Sequence, residues 1–501
     1  MAAWKRGTPL LLLAGLLVLV LAACEPEEAP PPNILFISVD DLNDWVGHLG
    51  GHPDAYAPHI DRLADQGVAF TNAHVPAVSC TPSRMSILTG ISPANTGIYG
   101  NVDFYWRDVP HLRDVVTLPQ FFRENGYRTV GGGKMFHALS WIDRSYGQNQ
   151  NDPASWDDYF PSLEKPMPDE VWPSPADTTE SGARVWEPAA QGEGERVPPW
   201  FFDWGPLDIP DAEMSDHQVV DWAIGELERE ATEPFFLAVG IYRPHIPWFV
   251  PRDYFEMYPL EEVIIPEVPE DPLAGLPESG EAMGSGRRPW HHWVAENDLW
   301  EEAVQAYLAS VTFADAQVGR LLDALEASPH ADNTVIVLWS DHGFHLGEKE
   351  TWEKFTLWEE STRVPFIIVA PGVTPAGERS HQPVDLLDIY RTLADLAGLE
   401  VDPIVEGESL VPLLREPQME TGRAVVSTID GGDGQSVRST RWRYIRFTDG
   451  SEILYDHEAD PGEHRNLADD PAHREVMDEL AEWLPSEMRP AVRPPGDGEE
   501  R

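Results

Sequence analysis

Five short apolar runs, each followed by polar or turn-forming residues, constrain the fold of this 501-residue chain more than any other feature. The runs cover residues 33–39, 127–130, 235–239, 334–338 and 364–369. Amphipathic patterns with helical spacing lie between them, at residues 60–66, 118–124, 216–230 and 300–326. Apolar strands that alternate with amphipathic helices are typical of a mostly parallel sheet with helices on both faces. We therefore predict an α/β fold with a large mixed, mostly parallel sheet sandwiched by helices.

Ionisable side chains follow four of the five runs. They are Asp40 and Asp41, Lys134 and His137, Arg243 and His245, and Asp341 and His342. Ligands of open α/β sheets bind beyond the carboxyl ends of the strands, where such residues meet. One site built from these distant segments is the simplest interpretation.

The pattern changes near residue 415. Short strand patterns follow at residues 424–428, 436–439, 442–447 and 453–456, and a helical pattern covers residues 474–484. We predict a catalytic domain over residues 33–415 and a small C-terminal α+β subdomain with an antiparallel sheet over residues 416–489. Residues 490–501 are predicted to form a disordered tail.

The first 23 residues have the pattern of an export signal. Lys5 and Arg6 precede an apolar run, residues 10–21, that is too short for a membrane span. The run leads into Leu-Ala-Ala-Cys24, which resembles a bacterial lipoprotein box; the alternative is an ordinary cleaved leader. The first interpretation predicts a signal peptide over residues 1–23, a lipidated Cys24 that binds the membrane, and a tether over residues 24–32. It also predicts an exported protein anchored in the bacterial cell envelope, either in the periplasm or at the cell surface.

The formal net charge of −51 argues against nucleic acid as a partner, because phosphate backbones bind to basic surfaces. An anionic substrate needs local positive charge to overcome this field. Lysine is scarce, and the sequence contains just Lys5, Lys134, Lys165, Lys349 and Lys354. A retained lysine suggests amine chemistry that arginine does not supply, although codon bias also depletes lysine.

Cys80 is the one cysteine beyond Cys24. With no second cysteine left for an internal disulfide, Cys80 is either an inert buried thiol or the precursor of a nucleophile. Pro82 suits the first turn of a helix, so Cys80 is expected near a helix N-terminus. There the helix dipole and free N–H groups favour an anion, and Arg84 adds a positive charge.

The residues around Cys80 resemble the signature of the type I, formylglycine-dependent sulfatases of the alkaline phosphatase-like superfamily. The matching positions are Cys80, Pro82, Ser83, Arg84, Leu88, Thr89 and Gly90. The resemblance implies a sulfuric ester hydrolase whose cysteine is oxidised to an aldehyde by a separate formylglycine-generating enzyme. In that family one hydroxyl of the aldehyde hydrate, activated by a metal ion, attacks sulfur and displaces the alcohol. The second hydroxyl then loses its proton, which expels sulfate.

The resemblance also implies a calcium site. The implied Ca²⁺ ligands are Asp40, Asp41, modified Cys80, Asp341 and His342. Three carboxylates at strand ends suit a hard cation, whereas histidine is an unusual ligand because Ca²⁺ prefers oxygen.

The remaining members of the implied catalytic set are Arg84, Lys134, His137, His245 and Lys354. Lys134 and His137 resemble the iduronate-2-sulfatase-like branch, where the pair binds sulfate and the formylglycine hydroxyls and the histidine is the base. His245 and Lys354 are implied to hold sulfate and to protonate the leaving oxygen. Lys349 competes with Lys354 for that role.

The branch suggests a sulfated saccharide substrate. We hypothesise that a basic cluster faces the sugar, formed by Arg287, Arg288, His291 and His292. A phosphonate or phosphate monoester hydrolase of the same superfamily is an alternative, because sulfuryl and phosphoryl transfer overlap. A catalytically silent, lipid-anchored glycan-binding protein is a second alternative, and the intact catalytic set argues against it.

Overall fold

The computed structural model describes Met1 and residues 30–493, except residues 103, 138–151, 162–201, 231 and 285–289. The predicted signal peptide, the lipidated Cys24, and Arg287 and Arg288 of the basic cluster lie outside the described residues. In the described part of the chain, no helix combines the length and the hydropathy that a membrane span requires.

The described chain contains sixteen strands, numbered β1 to β16 in chain order. They are Asn33–Val39, Val68–Phe70, Ala73–His74, Arg128–Gly133, Asp158–Phe160, Trp204–Leu207, Phe235–Ile241, Trp248–Pro251, Thr334–Ser340, Phe366–Val369, Glu378–Ser380, Val384–Asp385, Val425–Thr428, Gly434–Arg438, Trp442–Phe447 and Glu452–Asp456. The described helices are Pro58–Ala64, Cys80–Thr89, Pro93–Thr96, Leu118–Glu124, Ser215–Leu227, Arg252–Glu256, Glu278–Gly284, Trp290–Glu296, Trp300–Ala327, Glu359–Thr362, Ile389–Leu396, Val411–Arg415 and Arg474–Ala481.

Eight strands form the central sheet, in the order β11-β2-β10-β9-β1-β7-β4-β5. The five predicted apolar runs become β1, β4, β7, β9 and β10, and they occupy five adjacent positions. β1 is parallel to β7 and β9, and β4 is parallel to β7. β10 is antiparallel to β9, so its carboxyl end lies at the opposite edge. This reversal explains why ionisable residues follow four of the runs and not the fifth.

Helices cover both faces of the sheet, as predicted. Along β1, Leu35 and Ile37 face a core that includes the long helix Trp300–Ala327, while Ile34 and Phe36 face a second core that includes the helix Cys80–Thr89. Successive side chains of a strand point to opposite faces. A strand buried on both faces therefore appears in the sequence as a continuous apolar run.

A four-stranded antiparallel sheet, β13-β14-β15-β16, forms the C-terminal subdomain. One face of this sheet, through Ile445 and Tyr455, packs against Met283 and Trp358 of the main domain. The other face is covered by the helix Arg474–Ala481. The predicted α+β character of the subdomain is confirmed, and its sheet closes over the segment that carries Lys354.

The beginning of the predicted disordered tail is bonded to the main domain. The N–H of Arg489 donates to the Ala94 carbonyl at 2.8 Å, and the N–H of Val492 donates to the Gly97 carbonyl at 2.9 Å. Of these two residues, Val492 belongs to the predicted tail and Arg489 directly precedes it. Residues 494–501 lie outside the described residues, and the disorder of the tail stays a prediction.

Candidate active site

Cys80 is the first residue of the helix Cys80–Thr89, directly after the N-cap residue Ser79. Its thiol is fully buried, and the helix begins beside the carboxyl ends of the central strands. The predicted position at a helix N-terminus is confirmed. One of the expected free N–H groups is already used, because the N–H of Thr81 donates to the Asn101 side chain at 2.8 Å.

Three cationic side chains surround the Cys80 sulfur. The Nζ atoms of Lys134 and Lys354 each lie 3.6 Å from Sγ, and Nε2 of His342 lies 3.2 Å from it. Burial raises the pKa of the Cys80 thiol, but these charges together hold that pKa well below its ordinary value. The position therefore stabilises negative charge and suits an anionic group better than a neutral thiol.

The sheet edge next to Cys80 carries a three-carboxylate cluster, formed by Asp40, Asp41 and Asp341. Their oxygens lie within 4.8 Å of one another, and all three side chains are fully buried. Burial and the nearby charge of Asp341 raise the pKa of Asp40 to about 7, against the opposing effect of Lys134 and Arg84. Three buried carboxylates at this separation repel one another and require positive charge close by.

Arg84 supplies part of that charge. Its guanidinium is fully buried, and it donates to Asp341 at 2.7 Å through Nε and to Asp40 at 2.9 Å through Nη2. Nη1 donates to the carbonyls of Lys134 and Met135. Arg84 thus contacts two carboxylates and the backbone of the β4 end. These contacts hold the two carboxylates and the β4 end in place, and the catalytic role of Arg84 stays a prediction.

The donor set of the cluster fits a hard divalent cation. Carboxylate oxygens are the ligands that Ca²⁺ prefers, and Asp40, Asp41 and Asp341 present them from two adjacent strand ends. His342 lies beside the same cluster, since its Nε2 is 3.5 Å from Oδ2 of Asp341. Burial lowers the pKa of His342, but the negative charges of Asp341, Cys80 and Asp41 together outweigh burial and raise the pKa to about 9. A bound cation would displace this proton and leave the imidazole neutral.

Two neutral histidines complete the site. Burial lowers the pKa of His245 to about 4 and also lowers that of His137. His245 Nδ1 lies 2.5 Å from the Ile246 carbonyl, so this nitrogen carries the hydrogen and Nε2 faces Asp41 at 3.9 Å. Both histidines also interact with Cys80. Both imidazoles are therefore neutral at pH 7.

The structure distinguishes the two candidate lysines. Lys354 Nζ donates to the two carboxylate oxygens of Asp41 at 2.8 and 3.0 Å, next to Cys80. Lys349 Nζ instead donates to the carbonyl of Glu463 in the C-terminal subdomain and lies 5.6 Å from the Trp358 ring centroid. The choice of Lys354 over Lys349 agrees with this geometry.

Some residues that shape the site were not predicted. The hydroxyl of Tyr307 donates to the Asp41 carbonyl at 2.9 Å and accepts from the Asn43 N–H at 3.0 Å. The Tyr242 ring lies 5.4 Å from Lys134 Nζ. Tyr307 lies in the middle of a long buried helix, where the sequence offers no signal of its function. Tyr242 directly follows the strand Phe235–Ile241. Its position beside Arg243 and His245 in the sequence was the signal that could have identified it.

Comparison with known proteins places the chain in a family. The profile described as Sulfatase matches residues 32–399, and the profile described as N-sulphoglucosamine sulphohydrolase, C-terminal, matches residues 347–489. The chain belongs to the sulfatase family. A relative named Sulfatase, from Formosa agariphila, is 37% identical over 466 residues, which cover 92% of this chain and 87% of the relative. The human iduronate 2-sulfatase is 34% identical over 412 residues, which cover 74% of this chain and 70% of that protein.

The solved structures agree on the fold. The phosphonate monoester hydrolase SpPMH from Silicibacter pomeroyi aligns with a TM-score of 0.69 and 26% identity, over 90% of this chain and 94% of that chain. The resemblance inferred from the residues around Cys80 is thus confirmed at the level of family and fold. As a sulfatase, the protein is a sulfuric ester hydrolase.

Proposed function

We propose that this sulfatase removes sulfate from a sulfated saccharide, using formylglycine made from Cys80 and a Ca²⁺ ion held by the three-carboxylate cluster with His342. The observation that carries the proposal is the setting of Cys80. Two of the five lysines of the chain lie 3.6 Å from its sulfur, directly beside three buried carboxylates. The saccharide is suggested by the similarity to a relative named iduronate 2-sulfatase.

The charges of the site suit a sulfate group. In a chain of net charge −51, a sulfate ester needs a local cationic surface, and Lys134 and Lys354 provide it beside Cys80. Burial of both ammonium groups strengthens their interaction with developing negative charge on the sulfate oxygens. When present, formylglycine supplies two hydroxyls, one to attack sulfur and one to release sulfate, and Ca²⁺ supplies positive charge that favours their ionised form.

The proposal also assigns a role in proton transfer to each ionisable residue beside Cys80. Burial lowers the pKa of Lys354, but the negative charges of Asp41, Cys80 and Asp40 together outweigh burial and raise it, so Lys354 is held in its charged form. His245 is neutral, with its hydrogen on the nitrogen that faces the Ile246 carbonyl. We therefore assign the protonation of the leaving oxygen to Lys354 and an orienting role to His245. His137 is neutral and contacts Cys80, which suits a base that takes the proton when sulfate is released.

Two measurements test the proposal. Peptide mass spectrometry over residue 80, on protein from the native host, is expected to show the mass of the aldehyde in place of the thiol. A panel of defined sulfated mono- and oligosaccharides, with product mapping, is expected to show sulfate release that Cys80→Ala abolishes. An unmodified thiol in active protein would contradict the role of formylglycine, and binding without turnover would favour the silent glycan-binding alternative.

A phosphonate or phosphate monoester hydrolase is the second candidate, and the likeness to SpPMH favours keeping it. Relative kcat/KM on aryl sulfate, aryl phosphate and aryl phosphonate esters with one common leaving group separates the two. We expect the sulfate ester to be preferred, because the family profile and the similar proteins named as sulfatases cover most of the chain.

We also propose that the protein is exported and anchored in the cell envelope through a lipid on Cys24. The support is the leader-like pattern that ends at Cys24. In a bacterial host, labelled fatty acid is expected to be incorporated into the full chain and not into Cys24→Ala. Equal labelling of both would contradict the anchor.

A further inference from the structure

The turn after β1 brings two consecutive aspartates into one cluster. Along an extended strand, successive side chains point to opposite faces. Asp40 and Asp41 nevertheless both reach the three-carboxylate cluster. The backbone explains this, because Asp41 has φ +58°, in the left-handed region that residues other than glycine rarely adopt. Since φ sets the direction in which the side chain leaves the strand, this conformation determines where the Asp41 carboxylate lies.

Four consecutive N–H groups hold this turn in place, and each has a partner. The first two, from Asp40 and Asp41, donate to the last carbonyl of β7 at 3.0 Å and to the Asp341 carboxylate at 3.2 Å. The next two donate to the side-chain hydroxyls of Ser340 and Tyr307, each at 3.0 Å. An uncommon φ value persists where the surrounding structure fixes it in this way. Two of the four partners are therefore hydroxyl groups.

The Tyr307 hydroxyl bridges two backbone groups of the turn. It accepts from the Asn43 N–H and donates to the Asp41 carbonyl at 2.9 Å. The fully buried ring is fixed by Trp45 and Trp248, whose ring centroids lie 5.3 and 5.6 Å away. Removal of the hydroxyl would leave a carbonyl and an N–H without this partner in two buried residues, which is unfavourable.

The Ser340 hydroxyl forms a second bridge, between the two chain segments that carry the carboxylates. It accepts from the Leu42 N–H at 3.0 Å and donates to the His342 carbonyl at 2.9 Å. Ser340 is the last residue of β9 and directly precedes Asp341. Its hydroxyl therefore joins the turn after β1 to the turn after β9.

The position of Asp41 affects the groups around its carboxylate. Lys354 Nζ donates to both carboxylate oxygens at 2.8 and 3.0 Å, and Nδ1 of His342 lies 3.4 Å from Oδ1. A shift of Asp41 would thus change both the three-carboxylate cluster and the pairing with Lys354. Removal of a group that holds a metal ligand in place typically changes metal affinity or activity by about 10–100-fold.

We infer that Tyr307 and Ser340 are positioning residues whose hydroxyls hold Asp41 in its left-handed conformation and thereby set the affinity of the three-carboxylate cluster for Ca²⁺. Both act through Asp41, and through it they also place the partner of Lys354. The inference rests on the proposed function, since the ion and the reaction are those proposed above. It extends that function to two residues that lie behind the site.

Calorimetric titration of Ca²⁺ into the metal-free full chain tests the inference. We expect Tyr307→Phe, which keeps the packed ring, and Ser340→Ala each to raise the Kd for Ca²⁺ by about 10–100-fold. At saturating Ca²⁺, kcat on a sulfate ester should fall about tenfold while KM changes less than about threefold, because the cationic surface for sulfate is kept. All proteins are made in one host, so that residue 80 carries the same modification in each.

Tyr258→Phe is the matched control. The Tyr258 hydroxyl is buried and lies 2.5 Å from Oγ1 of Thr312, which belongs to the same long helix as Tyr307. Loss of this hydroxyl is expected to lower Tm and to leave both the Kd for Ca²⁺ and kcat unchanged. A purely structural role of Tyr307 would give the same result for Tyr307→Phe.

The outcomes separate this inference from the proposed function. A Kd within about threefold of the wild-type value in either hydroxyl variant would overturn the role of that residue. An equal rise in Kd in Tyr258→Phe, or a wild-type protein that binds no Ca²⁺, would overturn the whole inference. Since both hydroxyls hold one turn, the result for one variant decides the inference if the other variant does not fold. A protein that binds Ca²⁺ as expected but releases no sulfate from any ester would contradict the proposed function and leave the positioning role standing.

Discussion

Arg443 provides a quantitative test of how the two domains are joined. Its guanidinium is fully buried, and it forms ion pairs with Glu359 of the main domain and, at 2.5 Å, with Glu463 of the subdomain. It also donates to the carbonyl of Leu357 at 2.8 Å and to the hydroxyl of Thr362 at 2.9 Å. Replacing Arg443 with Met keeps most of the volume, but it leaves the buried Glu463 without its main cation and removes one of the cationic partners of Glu359.

The expected cost of Arg443→Met is about 3–5 kcal/mol of the free energy of unfolding, as for other buried ion pairs that lose one partner. The entropy of unfolding is about 2 cal/mol/K per residue, so for 501 residues a cost of about 4 kcal/mol lowers Tm by about 4 °C. The control is Arg441→Met, because the Arg441 side chain is 45% exposed and pairs with Asp456 at the surface. That change is expected to cost less than about 1 kcal/mol.

The cost also depends on pH. Burial raises the pKa of Glu463, but Arg443 and His457 together outweigh burial, and the pKa is lowered to about 2 from its ordinary value of 4.5. The stability from this pair is therefore present above pH 4.5 and is lost as the pH falls through 2. Thermal unfolding of both proteins between pH 3 and pH 7 should show a difference in stability that increases with pH. The reasoning would be refuted if the wild-type protein and Arg443→Met differed by less than about 1 kcal/mol in the free energy of unfolding at pH 7. It would also be refuted if their difference at pH 3 equalled their difference at pH 7.

Three further predictions concern the site. Lys354→Met should lower kcat by about 10²–10³, because it removes one buried donor beside the reacting group. The control Lys349→Met should lower thermal stability and change kcat less than about threefold. Equal losses of kcat in the two variants would contradict the assignment of Lys354. Gly133→Ala should destabilise the protein by more than about 2 kcal/mol in chemical unfolding. Gly133 has φ +72°, and a Cβ there would lie 1.9 Å from the Gly240 carbonyl oxygen. A neutral effect would show that the backbone at the end of β4 moves to make room for the methyl group. Removal of metal by a chelator should lower both the Tm and the rate of sulfate release. Addition of Ca²⁺ at about 100 times its Kd should restore about 2.7 kcal/mol of the free energy of unfolding. An unchanged Tm after chelation would argue against a metal at the three-carboxylate cluster.

Much of the fold was accessible from the sequence because the relevant patterns are local. The run at residues 33–39 is apolar because both faces of β1 are buried, and it matches the observed Asn33–Val39 strand residue for residue. The helix over Leu118–Glu124 was predicted with its observed bounds for a similar reason, since its buried residues recur at helical spacing. The antiparallel direction of β10 was not accessible, because strand pairing depends on contacts with β9 and β2, which lie far away in the sequence.

The candidate site divides in the same way. The membership of Asp40 and Asp341 in the site was predicted because each follows an apolar run. The motif around Cys80 indicated the chemistry of that site. The orienting contact of Tyr307 with Asp41 was missed, because an aromatic residue within a buried helix has the pattern of ordinary core.

The sequence by itself determined the alternation of strands and helices, the chemical groups at the strand ends and the family signature at Cys80, because each is encoded in neighbouring residues. The tertiary structure alone decided which lysine reaches Cys80 and that Arg84 binds the carboxylates. Distances and burial set these properties, because the strength of each charge depends on the groups that folding brings within a few ångströms of it.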